Sequence, residues 1–274
     1  MNESQVVMDE AVPARPKRSL GQNFLVDPNM SAKIVATLAI EPGDTVIEIG
    51  PGRGALSGFI VEAGPGAYLA VEKDRDLAAA LRRTHPEAAM VNADALRQDW
   101  SRVDRLGAPV RLIGNLPYNI ASPLLWELCS TAGQFVRGIF MVQHEVARRL
   151  AAGPDCREYG ALSAWIGNFA RVTYCFKVPP TVFRPRPKVD SAVVAVTPLP
   201  AQERPEDPVI LARVIKLLFA ARRKQLRGIL KHWWDDALEA FFTASGISPQ
   251  DRPENMTPKA FCELSKLLKT RLGS

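Results

Sequence analysis

Short apolar runs alternate with amphipathic stretches over residues 45–145 of the sequence. The runs at 45–49 and 67–71 are rich in β-branched and aliphatic residues, and each ends at a glycine or an acidic residue. Runs of this length between turn residues are typical of buried strands. Between these two runs, apolar residues recur at helical spacing, at Leu56, Phe59, Ile60 and Ala63. The alternation is that of parallel βαβ units, so it predicts a doubly wound α/β sheet.

The same pattern predicts the other strands and helices of this sheet. Strands are predicted at 45–49, 67–71, 88–91, 110–113, 138–142, 172–178 and 192–197. A first helix is expected to begin at Asp27-Pro28, because aspartate caps a helix and proline suits its first position. Further helices are predicted at 76–83, 123–130 and 161–169.

The composition changes at a proline-rich, polar stretch over residues 198–208, which we interpret as a linker. Beyond it the pattern predicts only helices, at 209–234, 236–244 and 258–268. The predicted organisation is a disordered segment over 1–16, an α/β domain over 17–200 and a small all-helical domain over 201–274.

Composition narrows the classes of function. No uninterrupted apolar run reaches the length of about 18 residues that a membrane span needs. The N-terminus lacks the apolar core of a secretory signal, and its acidic residues argue against a transit peptide. The four cysteines form no C-x-x-C pair, and the three histidines show no ligand spacing. We therefore expect a cytoplasmic protein without a metal site or disulfide framework.

Positive charge is unevenly distributed along the chain. The net charge is +6, and residues 201–274 hold thirteen Lys and Arg against nine Asp and Glu. A basic excess of this kind suits a polyanion such as nucleic acid, although basic solvated faces are also common.

The segment Gly50-Pro51-Gly52-Arg53-Gly54 follows the first strand directly. Glycines are needed where a ligand or a helix approaches the backbone closely. The spacing also fits a relaxed G-x-G-x-x-A through Ala55, so a dinucleotide or a purely structural turn stays possible. Pro51 removes an N–H that a pyrophosphate would use, and Glu48 precedes the turn. These features favour S-adenosylmethionine, a cofactor with a cationic centre and no phosphate.

Acidic residues end the next two predicted strands. Glu72 follows the second strand and is placed to accept both ribose hydroxyls of an adenosine. Asp94 follows the third strand and could accept from an adenine amino group. The alternatives are an exposed strand-end carboxylate for Glu72 and an Asx turn or helix cap for Asp94.

The tetrapeptide Asn115-Leu116-Pro117-Tyr118 follows the fourth strand. Open α/β sheets bind ligands at the carboxyl ends of their strands. The Asn115 side chain and the Leu116 carbonyl offer two acceptors for an exocyclic amine, and the Tyr118 ring offers a stacking surface. Phe183 could add a second stacking ring, although an aromatic residue between prolines often serves packing. The tetrapeptide alone is equally compatible with an ordinary strand-loop-helix connection.

A basic cluster lies inside the predicted helix 209–234. Arg222, Arg223, Lys224 and Arg227 accompany apolar residues at helical spacing. They are candidates for contacts with RNA phosphates, with a solvated amphipathic helix as the alternative. Arg15, Lys17 and Arg18 could extend the same surface.

Several of these segments occur in one order that resembles a known family. They are GQNFL (21–25), EIGPGRGAL (48–56), VEKDRDL (71–77), NADAL (92–96), NLPYNIASPL (115–124), FRPRPKVDSAVV (183–194) and FAARRKQLRGIL (219–230). Together they resemble the KsgA-type small-subunit ribosomal RNA adenine dimethyltransferases over roughly residues 15–257.

The resemblance implies a Rossmann-like S-adenosylmethionine-dependent methyltransferase sheet with a small all-helical C-terminal domain. It implies cofactor binding at positions across five motifs, namely Asn23, Leu25, Gly50, Gly52, Glu72, Asp94 and Asn115. It also implies catalysis by residues 115–118. The implied reaction is dimethylation of N6 of two adjacent adenosines in the 3′-terminal hairpin of small-subunit (16S) ribosomal RNA.

The expected partner is this RNA within a pre-30S particle, bound by a monomer without membrane attachment. Three alternatives stay open: a large-subunit methyltransferase of the macrolide-resistance type, a mainly non-catalytic ribosome-assembly factor, and an NAD-dependent oxidoreductase.

Overall fold

The computed structural model describes residues 21–272, so the predictions made for residues 1–16, and for Lys17 and Arg18, fall outside it. In chain order the strands are β1 (Phe24–Leu25), β2 (Thr45–Ile49), β3 (Ala67–Glu72), β4 (Ala89–Asn92), β5 (Val110–Asn115), β6 (Phe135–Gln143), β7 (Ala170–Val178), β8 (Phe183–Arg184) and β9 (Ser191–Pro198). The helices are α1 (Pro28–Leu38), α2 (Ser57–Glu62), α3 (Arg75–Thr84), α4 (Ala121–Thr131), α5 (His144–Leu150), α6 (Ala161–Ile166), α7 (Pro208–Ala220), α8 (Leu226–Ile229), α9 (Asp236–Ser245) and α10 (Pro258–Leu272).

Seven of these strands form one sheet in the order β4-β3-β2-β5-β6-β9-β7. Strands β2 to β6 are parallel, whereas β9 pairs antiparallel with both β6 and β7. The predicted α/β sheet is therefore confirmed. Strands β1 and β8 form a separate antiparallel pair that joins Leu25 to Phe183.

Strands β2 and β5 lie side by side at the centre of the sheet. Every residue of β2 is buried, as expected for a strand covered on both faces. Gly114 stands in β5 where a Cβ would come within 2.7 Å of the Ile49 carbonyl oxygen. Glycine therefore lets β5 approach β2 closely just before Asn115.

The predicted helix over 209–234 is wrong, because α7 ends at Ala220 and residues 221–225 form a turn before the short helix α8. The Leu226 N–H donates to the Asp251 carbonyl at 2.8 Å, and the Arg227 N–H donates to the Pro249 carbonyl at 2.9 Å. These long-range bonds use N–H groups that a continuous helix would satisfy internally. The basic triplet therefore lies in a turn and not on a helix face.

The predicted linker packs against the rest of the chain. Arg204 donates to the Leu199 and Gly133 carbonyl oxygens, both at 2.9 Å. One hydrophobic cluster also continues from Leu128 and Trp165 into Leu211 and Phe261 of the C-terminal helices. The helices beyond residue 208 therefore pack directly on the α/β part, and a domain boundary at residue 200 stays a prediction. Within residues 21–272, no helix is both long and apolar enough to cross a bilayer.

Candidate active site

One cavity lies at the carboxyl ends of β2, β3, β4 and β5. It brings together every residue predicted for cofactor binding and catalysis, and Phe183 as well. These residues are Asn23, Leu25, Gly50, Gly52, Glu72, Asp94, Asn115, Leu116, Pro117, Tyr118 and Phe183. The predicted cations Arg222, Arg223 and Lys224 instead line a second surface depression beside Arg157 and Glu254.

The glycine turn forms one wall of this cavity. Gly50 and Gly52 have φ angles of +69° and +62°, a left-handed backbone that favours glycine. A Cβ on Gly52 would also lie 3.3 Å from the Phe24 ring. A side chain at Gly52 would therefore press on the Phe24 ring, which lines the same cavity.

Glu72 lies at the floor of the cavity and is 6% exposed, so the exposed-carboxylate alternative is wrong. Its carboxylate accepts from the Gly52 N–H at 3.0 Å and from the Asp74 N–H at 2.8 Å. Burial raises the pKa of Glu72, and these N–H donors oppose that shift. Each carboxylate oxygen keeps a further lone pair, which two ribose hydroxyls can use.

Glu48 is buried beneath the glycine turn. Its carboxylate accepts from the Tyr68 hydroxyl, and from the Ser57 hydroxyl at 2.8 Å. Burial raises the pKa of Glu48 from 4.5 to about 7. Near neutral pH this group therefore carries only part of a negative charge, which weakens the expectation that it faces a cationic centre as a full anion.

The raised pKa of Glu48 predicts a pH-dependent stability. Between pH 4.5 and about 7 the folded chain binds more protons at Glu48 than the unfolded chain does. The free energy of unfolding therefore falls as pH rises through this window, by up to about 3 kcal/mol from this group. Glu48→Gln should remove that fall, as measured by urea unfolding at pH 5 and pH 8. Glu62→Gln, an exposed change on α2, serves as control; equal pH slopes in wild type and Glu48→Gln would contradict the prediction.

Asp94 forms the helix cap that was one of its two expected roles. Its carboxylate pairs with Lys73 at 2.8 Å and caps the short 3₁₀ helix at 95–97 by accepting from the Leu96 N–H. The hydrogen bond from Lys73 lowers the pKa of Asp94. The cap is therefore real, and it holds this carboxylate at the cavity wall.

The tetrapeptide presents two acceptors beside a ring. The Asn115 Nδ2 donates to the Asn23 carbonyl at 3.2 Å, which leaves Oδ1 as the free end of the amide. The Leu116 N–H donates to the Met141 carbonyl at 3.0 Å. Within residues 21–272, no hydrogen bond is donated to Asn115 Oδ1 or to the Leu116 carbonyl. Both acceptors are therefore available to a bound amine.

Tyr118 is fixed by a contact that the sequence did not predict. Its hydroxyl lies 2.8 Å from the hydroxyl of Ser191, which is fully buried at the start of β9. Burial raises the pKa of Tyr118, so the phenol stays neutral. Ser191 lies within the segment FRPRPKVDSAVV, but its 73-residue separation from Tyr118 gives no local signal.

The segment 21–25 covers the cavity. Besides the bond from Asn115, Gln22 Nε2 lies 3.4 Å from Asp74, and the Arg53 guanidinium lies 4.5 Å above the Phe24 ring. Neither contact was predicted. Together they attach this segment to three strand ends at once.

The predicted RNA-binding residues differ in their surroundings. Arg222 pairs with Glu254 at 2.6 Å and donates to the Arg157 carbonyl at 2.8 Å. Arg227 pairs with Glu239 at 3.3 Å and lies over the Trp234 ring at 4.8 Å. Arg223 and Lys224 are exposed. Phe183 is 1% exposed and packs in the core, although its ring also borders the cavity.

The fold and the cavity lining fit an adenosine-containing cofactor, with glycines at the turn and the carboxylates of Glu72 and Asp94 at two strand ends. They define a Rossmann-like, S-adenosylmethionine-dependent methyltransferase. The clusters of acidic, His and Cys residues expected of a metal site are not found within residues 21–272.

Comparison with known proteins identifies the family. The model of the ribosomal RNA adenine dimethylase family matches residues 14–270. A "Ribosomal RNA small subunit methyltransferase A" from Maridesulfovibrio salexigens is 50% identical over 95% of this chain and 98% of its own length. A protein of the same name from Acinetobacter baylyi is 43% identical over 92% of both chains. The chain belongs to the ribosomal RNA adenine dimethylase family.

Solved structures agree on the fold. A dimethyladenosine transferase from Plasmodium falciparum superposes with a TM-score of 0.71 at 22% identity, covering 91% of this chain and 98% of its own. The 23S rRNA methyltransferase ErmE superposes with a TM-score of 0.69 at 25% identity, covering 89% and 98%. Membership of this family excludes the oxidoreductase alternative.

Proposed function

We propose that this protein dimethylates N6 of two adjacent adenosines in the 3′-terminal hairpin of small-subunit ribosomal RNA. We further propose that it acts as a cytoplasmic monomer on a pre-30S particle late in small-subunit biogenesis. The arrangement of residues 115–118 carries the proposal. Asn115 Oδ1 and the Leu116 carbonyl are unpaired acceptors within the described chain, beside the ring of Tyr118.

The chemistry requires the lone pair of an aromatic amine to be freed from its ring. The target adenine must leave its stack to reach the cavity, where it stacks on Tyr118. Asn115 Oδ1 and the Leu116 carbonyl each accept one N6 hydrogen, which favours a pyramidal nitrogen with its lone pair directed away from them. S-adenosylmethionine supplies a methyl group on a positively charged sulfur.

Transfer then forms the N6–carbon bond as the carbon–sulfur bond breaks. The nitrogen becomes acidic when it is alkylated and releases its proton to solvent, so no strong base is required. Tyr118, whose pKa is raised, is not suited to that role. The acceleration comes mainly from positioning and from fixed dipoles.

RNA contacts by residues 222–224 and Arg227 are part of the proposal. Arg223 and Lys224 are exposed and suit direct contact with phosphates. Arg222 and Arg227 each pair with a glutamate, so they also hold the turn in shape.

The second candidate is methylation of large-subunit RNA. The likeness to the 23S rRNA methyltransferase ErmE favours it, but at 25% identity. Relatives at 43–50% identity are named for the small subunit, so we place that substrate first. A mainly non-catalytic assembly factor would not need the two free acceptors at residues 115 and 116.

The test uses small subunits from cells that lack this protein, a labelled methyl donor and mass spectrometry of the RNA digest. We expect dimethyladenosine at two adjacent sites near the 3′ end. Large subunits from the same cells serve as control. Methylation of large-subunit RNA instead would favour the second candidate, and binding of the small subunit without methylation would favour the assembly factor.

A further inference from the structure

A short arch at residues 184–190 connects β8 to β9 beside the cavity. Both of its ends contact the site: Phe183 borders the cavity at one end, and Ser191 holds the Tyr118 hydroxyl at the other. The arch carries three basic side chains, Arg184, Arg186 and Lys188, all of them exposed. The chain between two residues of the site therefore carries three exposed cations.

The strand pairing places Arg184 on the face of β8 opposite to Phe183. Phe183 pairs with Leu25 and Arg184 with Phe24, and successive side chains of a strand lie on opposite faces. Phe183 and Leu25 are buried at 1% and 4% exposure, whereas Arg184, on the other face beside the buried Phe24, is itself exposed.

The Arg184 guanidinium is oriented by its own backbone. Its Nη1 donates to the Thr181 carbonyl at 3.1 Å and to the Phe183 carbonyl at 2.9 Å. Both hydrogens of Nη1 are thereby used, while Nε and Nη2 keep theirs. Those two groups form the edge of a guanidinium that can bind a phosphate with two parallel hydrogen bonds.

None of the three arch cations has a carboxylate within 4.0 Å among residues 21–272. Other cations near the site are already paired, since Lys73 contacts Asp94 and Lys177 contacts Asp190, each at 2.8 Å. Pro185 and Pro187 alternate with the basic residues and restrict the backbone on both sides of Arg186. Little conformational entropy is therefore lost when this segment binds a ligand.

The cavity and the arch differ in their balance of charge. The cavity lining holds Glu72 and Asp94 together with Arg53 and Lys73. The arch holds three cations and one carboxylate, Asp190, which is paired with Lys177. A polyanion whose base enters the cavity would meet the arch with its backbone.

We propose that Arg184, Arg186 and Lys188 bind the backbone phosphates of the RNA nucleotides that flank the target adenosine. This proposal rests on the proposed function, because it needs an RNA base in the cavity. The arch would hold the backbone while the base is unstacked, so it would contribute to RNA affinity and not to cofactor affinity.

The test compares two triple variants of the full chain. The first is Arg184→Gln/Arg186→Gln/Lys188→Gln. The matched control, Arg83→Gln/Arg105→Gln/Arg171→Gln, removes the same charge from exposed arginines at the opposite edge of the sheet. Binding to unmethylated small subunits is measured from low to high KCl, together with binding of S-adenosylmethionine by calorimetry and the thermal unfolding midpoint.

We expect the arch variant to bind small subunits at least about tenfold more weakly. Its slope of log affinity against log salt should be smaller by about two, since each phosphate contact contributes about 0.7 for single-stranded nucleic acid. The control variant should keep the wild-type slope, and both variants should keep the wild-type midpoint and cofactor affinity. Arg184→Lys alone should keep the slope but lose affinity, because a lysine cannot make two parallel bonds.

If the slope of log affinity against log salt were the same for the arch and control variants, this proposal would be overturned. The proposed function would still stand, provided that the wild-type protein methylates small subunits. A wild-type protein that methylates neither subunit would overturn the proposed function and, with it, the role of the arch.

Discussion

Asn115→Ala is expected to lower the rate of methyl transfer by about 10²–10³-fold, the loss typical of removing one preorganised polar group from a reacting centre. The substitution removes Oδ1, one of the two acceptors that we assign to the N6 hydrogens. It also removes the Nδ2 donor to the Asn23 carbonyl at 3.2 Å, which helps to hold the segment 21–25 over the cavity. Single-turnover methylation of unmethylated small subunits at saturating cofactor measures the effect on transfer.

RNA binding should be spared, because the arch and the exposed residues of the 222–224 turn lie outside the substituted position. Binding of the variant to small subunits is expected to stay within about twofold of wild type, and Asn29→Ala, an exposed change on α1, provides the matched control. If the folded Asn115→Ala protein lost RNA binding as severely as methyl transfer, the assigned catalytic role would be wrong. A loss of transfer smaller than about fivefold would contradict it equally.

The site was largely predictable because its signals are local. In a parallel sheet the strand ends meet at one edge, so Gly50, Glu72, Asp94 and Asn115 could be placed together from four short segments. The structure brings all four to one cavity. Their roles toward cofactor and substrate stay predictions.

Contacts between distant segments could not be predicted in this way. The bonds from Leu226 and Arg227 to the 249–251 loop end the predicted long helix, although its apolar spacing continues through that point. Glu48 is a similar case, since burial raises its pKa while the hydroxyl of Tyr68, 20 residues further along the chain, donates to the carboxylate and opposes that shift. The spacing of apolar residues reveals neither the end of the helix nor the raised pKa, because both depend on which segments pack together.

Glu48 and Glu72 show how one site uses two carboxylates differently. Glu48 accepts from two hydroxyls beneath the turn and is half protonated near pH 7, where its pKa lies. Glu72 accepts from two backbone N–H groups, which favour its charged form. Burial raises the pKa of both groups, and the donors that oppose the shift are hydroxyls at Glu48 and backbone N–H groups at Glu72.

Glu72→Gln should weaken S-adenosylmethionine binding by about 10–100-fold, because hydrogen bonds to a charged group contribute about 1.5–3 kcal/mol. The amide keeps the size of the carboxylate, but its NH₂ cannot accept from the N–H groups of Gly52 or Asp74 or from a ribose hydroxyl. Asp94→Asn is expected to reduce the affinity for S-adenosylmethionine less than Glu72→Gln does, since Asp94 is more exposed and its carboxylate is already paired with Lys73. Calorimetric titration of wild type, Glu72→Gln and Asp94→Asn with S-adenosylmethionine measures the order of their affinities.

A modified ligand shows whether Glu72→Gln loses affinity because a hydrogen bond to the ribose is missing or because the cavity as a whole is disturbed. Wild type should bind S-adenosylhomocysteine more tightly than its 2′-deoxy form, because the deoxy form lacks one donor to Glu72. In Glu72→Gln this difference should nearly vanish, since the two changes remove the same hydrogen bond and are not additive. A folded variant that still discriminated as strongly as wild type would place the ribose elsewhere. In that case Glu72 would serve only to hold the turn, through its bonds to Gly52 and Asp74.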